Sequence, residues 1–480
     1  MIQYIAKPRR AIAEVVGSVF LPPDETSILE AYISPAVLTV LIEYPYVDRD
    51  HRSTYYNNLA MRHAFHDRDC VRLHLFTNQF AAIDRLTPET LPEFQKSYWG
   101  YIVLRDTRTK TIGRSYIHPH ALVHRSTGFL TLQNEHAHIR GLEFSVLAYP
   151  WMEQDANISR CAHVTTWAII RYFSQKYSFY PERTLHEVTE LFDSQTRRKP
   201  SNGMTIPQMA EVFRETRFHP QVYVQEAFRD PQTFLRLVCT VIESGIPCVG
   251  IILIDGKPQH AVSLIGHGPL RSPAELSPAQ PGTIVDSCSL YTYLIASDDN
   301  YLPYTQIVKG HNLRTNLHGN VYSSQDLYGI IVPYSEKMFL DAIWLHDTSL
   351  PAVQDHLLRL PNDRVYIRRC LLTSSRSFKR SIAHHCHGAA ATAVLLSVEM
   401  PKFIWLVEYS SAEEFGKQLA SHRVIVDSTA MNGDPLAFLA IQRPNELVIN
   451  VAKTDRANPF QACTVDSGKL PLYTHNLEAA

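Results

Sequence analysis

At 480 residues the chain is too long for a single hydrophobic core, and its length calls for two to four domains. With 45% hydrophobic and 19% charged residues, its composition is globular and excludes a disordered or fibrous chain. The formal net charge of -1, with no acidic or basic tail, argues against a nucleic-acid partner.

The opening stretch "MIQYIAKPRRAIAEVVGSVFLPPDE" has neither the long apolar segment nor the small-residue cleavage site of a secretory signal. No run approaches the roughly 20 apolar residues of a membrane-spanning helix, so no membrane association is expected. Eight cysteines are scattered without paired spacing. Reduced thiols, a cytoplasmic location and no C-x-x-C zinc site follow as expectations.

In chain order, residues 1–145 read as a first α+β domain. The stretch "DHRSTYYNNLAMRHAFHDRD" (50–69) predicts an amphipathic helix, and the charged "YVDRDHR" (46–52) reads as its solvated start. Apolar and polar residues alternate through "CVRLHLF" (70–76), the period of a half-buried strand. A hairpin is expected over 99–119, and further strands over 128–149.

Residues 146–335 form the middle part. "EQDANISRCAHVTTWAIIRYF" (Glu153–Phe173) places a polar stretch before a buried helix, with Asn157 and Ser159 as expected caps. Helices are predicted over 181–194, over 201–218 with Thr205 as N-cap and Pro207 in the first turn, and over 232–245, stopped by Gly245. The pattern then changes period. "PCVGIILIDGKPQHAVSLIGHG" (247–268) holds two apolar runs around Asp255-Gly256, a hairpin dipeptide, and both runs read as central strands covered on two faces. A proline-rich loop (268–282) leads to "TIVDS" and to the strand "LYTYLIASDDNYLPY" (290–304), which ends in a carboxylate pair.

Residues 336–480 read as a second flanking α+β domain, with strands near 364–373, 402–410, 422–430, 436–442 and 446–452 and one helix over 377–398. In "AHHCHG" (383–388), His384 and His387 would share a helix face. Two ligands are too few for a zinc site, so a polar helix end is the expectation.

The chemistry centres on Cys161. The first turn of a helix carries free N–H groups and partial positive charge, which favour a thiolate. A nucleophilic cysteine also needs an imidazole to take its proton and a third group to orient that ring. His260 opens the second strand of the Asp255-Gly256 hairpin. Asp298 ends a strand expected to pair beside it, Asp299 would point to the opposite side, and Asp286 ends the shorter run. Any of the three carboxylates remains a candidate. Gln154, with the backbone N–H of Cys161, has the chemistry to hold an oxyanion.

The order of these pieces in "QDANISRCAHVTTWAIIRYF", "GIPCVGIILIDGKPQHAVSLIGH" and "YLIASDDNYLPY" resembles the papain-like cysteine peptidases, nearest to the bacteriocin-processing-peptidase-like branch. The resemblance spans about 150–310 and implies Cys161 as nucleophile, His260 as general base and acid, Asp298 as orienting residue and Gln154 as oxyanion donor. It implies a helical half packed on an antiparallel sheet half, no cofactor, and a protein or peptide substrate cut through a thioester. A partner-binding scaffold without activity, or acyl transfer in place of hydrolysis, would use the same fold. Two positions depart from the pattern: Gln154 lies seven residues before Cys161 instead of six, and Ala162 follows the cysteine. The sequence leaves the oligomeric state open.

Overall fold

The computed structural model of the chain describes residues 2–6, 31–80, 82–107, 111–123, 128–155, 157–191, 201–272, 280–308, 322–353, 358–384, 388–431, 434, 437–451, 455, 459–465 and 470–479. Before the first long helix run β1 (Ile2–Ala6), β2 (Thr39–Tyr46), α1 (Arg49–Thr54), β3 (Cys70–Phe76), α2 (Leu91–Ser97), β4 (Tyr98–Leu104), β5 (Ser115–Ile117), β6 (Phe129–Leu130), β7 (Gln133–Ile139), β8 (Leu142–Ala148) and β9 (Pro150–Trp151). Next come α3 (Cys161–Lys176), α4 (Leu185–Glu190), α5 (Ile206–Glu215), β10 (Phe218–Val224), α6 (Pro231–Glu243), β11 (Cys248–Ile254), β12 (Lys257–His267), β13 (Ile284–Asp286), β14 (Tyr293–Ser297), β15 (Thr305–Val308), β16 (Tyr322–Ser323) and β17 (Leu327–Ser335). The remainder holds β18 (Tyr366–Ser374), α7 (Ser375–His384), α8 (Ala389–Ser397), β19 (Phe403–Ser411), α9 (Ala412–Gly416), β20 (Leu419–Ala420), β21 (His422–Asp427), β22 (Phe438–Arg443), β23 (Glu446–Asn450), β24 (Phe460–Thr464), β25 (Leu470–Pro471) and β26 (Glu478–Ala479).

These elements make a mixed α+β structure with several β-sheets. An antiparallel sheet runs β1-β2-β3-β4-β5-β9, a central one runs β10-β17-β11-β12-β14-β15-β16, and a third runs β13-β18-β19-β21-β22-β23-β24. The sheets trade strands. β13 leaves the middle of the sequence to pair in parallel with β18. β26 returns from the far end to pair with β6, which itself pairs with β12. Among the described residues no helix is long and apolar enough to cross a membrane, and the described cysteines form no disulfide.

Local chemistry sets several element ends where they were expected. Asp255 and Gly256 turn the β11–β12 hairpin with φ of 52° and 73°, the left-handed pair that a tight hairpin requires. Thr205 caps α5 by accepting from the Gln208 N–H, while the Gln208 side chain reaches back. Gly245 leaves α6 with φ 68°.

Other expectations fail for tertiary reasons. β3 is buried along its whole length instead of alternating, because the β7–β8 hairpin covers one sheet face through Ala137, Phe144 and Val146. The helix expected over 50–69 stops at Thr54 and continues only as one wider turn, Tyr55–Leu59. The single helix expected over 377–398 is two, α7 and α8, with Gly388 at φ 76° opening the second. His387 of the histidine-rich stretch lies outside the described residues. Nor do Asn157 and Ser159 cap α3; that role falls to Arg160 and His163.

Candidate active site

α3 begins at Cys161 because the chain arrives extended. Arg160 has φ -122° and ψ 173°, and the His163 ring accepts the Arg160 N–H at 3.3 Å. The preceding loop is tied by one buried carboxylate, with Asp155 Oδ1 accepting from the N–H groups of Asn157 (3.0 Å), Ile158 (2.7 Å) and Ser159 (2.9 Å). Burial pulls the His163 imidazole down to about 4, so the ring is neutral and its Nδ1 accepts the Arg160 N–H.

From Ala162 to Phe173 the helix is buried on every side. One side meets the first sheet's unit through Asp50, whose carboxylate accepts from Trp167 Nε1 at 3.0 Å, Arg171 Nη2 at 3.0 Å and the Leu185 N–H at 2.9 Å. Asp50 is 2% exposed. The stretch 46–52 is a helix start, as read, but only partly solvated: Val47 and Arg49 are exposed, whereas Asp48, Asp50 and His51 are interior. The other side meets the central sheet, where the Thr165 hydroxyl donates to the Ala261 carbonyl at 2.9 Å. That bond joins the first turns of α3 to the residue after His260, and so fixes the cysteine against the histidine.

His260 lies where β12 emerges from its hairpin, opposite Ile252 at a bulge. Ser263 faces Ser297 across the β12–β14 ladder, so the chain leaving β14 runs back alongside His260. His260 Nε2 and Asp298 Oδ1 are 2.9 Å apart, with the two side chains 4% and 0% exposed. Trp151 Nε1 on β9 donates to the Asp298 carbonyl at 2.7 Å, and the Asn300 N–H donates to Asp298 Oδ1 at 2.9 Å. Burial alone would make the imidazole less basic, but its hydrogen bonds to Asp298 and Cys161 outweigh that and raise it to about 11. The ring is an imidazolium at neutral pH.

Of the other carboxylate candidates, Asp286 stands apart and Asp299 lies beside the pair without a hydrogen bond to the ring. Asp286 pairs with Arg368 at 2.8 Å in the third sheet. Asp299, 3% exposed, is pushed up to about 8 by burial and by the neighbouring Asp298 charge. One donor atom each from His260, Asp298 and Asp299 lies within 4.8 Å of the other two, the one such grouping of potential metal ligands among the described residues. Gln154 donates Nε2 to Asn300 Oδ1 at 2.7 Å, and Asn300 Nδ2 lies 3.3 Å from His260 Nε2. Gln154 thus stands on the acid side of the ring. Tyr322 of β16 flanks it, with ring centroids 5.9 Å apart.

The structure therefore brings Cys161, His260, Asp298 and Gln154 to one place. Sequence reasoning missed Asn300, Trp151, Thr165, Tyr322 and Asp50. Only Asn300 carried a local signal, being the polar residue directly after the carboxylate pair. No protein-family model matches the chain, and no curated protein matches it either.

Proposed function

We propose that the chain is a thiol hydrolase of papain-like organisation, with α3 and its neighbours as the helical half and the β11–β12–β14 sheet as the other. The observation that supports this best is the ordered contact of Cys161 with His260 and of His260 with Asp298. A cysteine at a helix N-terminus beside a cationic imidazolium is in the setting where thiolates form. Because Asp298 takes Nε2, Nδ1 is the nitrogen left for the sulfur.

In this reading the Cys161 thiolate attacks a peptide, isopeptide or amide carbonyl, forming the C–S bond and an oxyanion. The Cys161 N–H, which has no carbonyl partner within its helix, is the donor for that charge; Gln154, the second donor that the family resemblance implies, gives its Nε2 to Asn300 on the acid side of the ring and would have to turn from it to serve. Collapse breaks the C–N bond as His260 gives its proton to the departing amine. His260 then takes a proton from water, the hydroxide attacks the thioester, and the C–S bond breaks to release the acid and restore the thiolate. The flanking regions, 1–145 and 336–480, make up most of the chain's length, which favours one protein or peptide substrate over general digestion.

Alkylation by iodoacetamide at pH 6, mapped by peptide mass, tests this reading. An ordinary thiol is roughly 0.3% ionised there. Cys161 should react one to two orders of magnitude faster than Cys463, the other half-buried described cysteine. His260→Ala should abolish the difference. Equal, slow labelling of both cysteines refutes the proposal.

A further inference from the structure

We propose that His260, Asp298 and Asp299 form a binding site for a divalent cation of the zinc class, and that filling it switches the thiol chemistry off. The binding half stands on geometry alone; the switching half rests on the function proposed above.

Three donor atoms, one imidazole nitrogen and two carboxylate oxygens, already lie within 4.8 Å of one another. They are interior, with His260, Asp298 and Asp299 at 5%, 0% and 3% exposed. Asp299 is the residue the thiol mechanism does not use, and neither of its carboxylate oxygens has a hydrogen-bond partner. Such an orphaned pair of acceptors is costly to bury, and a structure retains it where something else satisfies it. Among the described ion pairs, Asp298 is matched by His260 and Asp299 by no cation.

One imidazole with two carboxylates is a donor set for zinc-class ions; magnesium and calcium take oxygen ligands throughout. Asn300, exposed and touching His260 Nε2, forms the outer edge of the cluster. A cation entering past it would take the Nε2 lone pair and expel the proton that Nε2 shares with Asp298. The ring's remaining proton then sits on Nδ1, facing Cys161. A metal-held ring with its proton there cannot accept one from water and gives one up only by becoming an imidazolate. Each binding event releases the imidazolium proton together with any proton held on the Asp299 carboxyl, and no electrons move.

The test is calorimetric titration of zinc sulfate into EDTA-stripped full-length protein at pH 7, with wild type, Asp299→Asn and Cys161→Ala compared. Wild type and Cys161→Ala should bind one ion with equal affinity, and Asp299→Asn at least tenfold more weakly. Zinc should also slow iodoacetamide labelling of Cys161 in wild type, reversibly on adding EDTA. No binding up to millimolar zinc, or equal binding by Asp299→Asn, overturns the site, the latter marking adventitious uptake by other histidines. X-ray absorption at the zinc edge of the wild-type complex needs no variant to fold: a nitrogen and oxygen shell supports the site, and a sulfur ligand overturns it. If zinc binds but Cys161 is inert in the stripped protein, the hydrolase reading and the switch fall together while the cation site stands.

Discussion

Replacing Asp50 with alanine strikes the joint between the first sheet's unit and the helix that carries Cys161. The carboxylate gathers three donors from two other elements: Trp167 Nε1, Arg171 Nη2 and the Leu185 N–H. Arg171 is 0% exposed and keeps two partners after the change, Glu182 and the Arg183 carbonyl. Breaking a buried pair costs about 3–5 kcal/mol when the surviving charge is stranded, and these partners place the loss at the lower end. Two orphaned N–H groups each add about 1 kcal/mol or more, partly offset as water enters the vacated space. A total near 4 kcal/mol follows, and at roughly 2–4 °C per kcal/mol it lowers Tm by about 8–16 °C. Thermal unfolding of the full chain, followed by circular dichroism, reads this directly. Labelling of Cys161 at pH 6 should slow in the same variant, because α3 loses its anchor six residues past the cysteine. Asp50→Asn, which still accepts from Trp167, should lose about half as much. A Tm within 2 °C of wild type for Asp50→Ala would refute the assignment of this carboxylate as the joint.

Three further outcomes are expected. Asp299 is held near 8 in the folded chain against about 3.9 unfolded, so its contribution to stability should fall as pH rises between those values and stay constant above. Asp299→Asn removes that decline, and its Tm advantage over wild type should grow from near zero at pH 4 to a plateau above pH 8. Thr165→Val deletes the 2.9 Å bond to the Ala261 carbonyl, costing about 1 kcal/mol in urea unfolding and slowing Cys161 labelling. Deleting residues 474–480 removes β26 and the Asn476 amide, which bonds the Glu243 carbonyl at 3.2 Å and the Leu372 carbonyl at 2.7 Å. Urea unfolding of that variant should lose single-step behaviour, the third sheet melting apart from the second.

What could be read ahead of the structure was whatever depends on near neighbours. Asp255-Gly256 forces a hairpin whatever surrounds it, and that hairpin places His260; the apolar run before Asp298 then has β12 as its natural partner. The choice among Asp298, Asp299 and Asp286 needed three dimensions, since Asp286 is drawn off by Arg368 in another sheet. The charged run 46–52 misled for the opposite reason. By composition it belongs in water, and distant partners, Trp167, Arg171 and the Leu185 N–H at Asp50 and Arg114 at Asp48, draw its acids inside. Asn300 carried only a weak signal, because an asparagine after two aspartates is an ordinary turn sequence; its significance comes from lying between Gln154 and His260. The break between α7 and α8 escaped a period-based reading that carried the helix straight through Gly388.

The trading of strands between sheets bears on how the chain reaches this state. Leu130 pairs with Glu478, and Ile284 with Tyr366. Such pairings demand that long loops close before any contact repays the lost chain freedom, so folding should be slow for a molecule of this helix content. Until residue 478 arrives, β6 presents a bare edge next to the strand that carries His260, open to pairing with another molecule. Refolding yield should therefore fall steeply with protein concentration, the losses set by a race between one distant segment and a neighbouring chain.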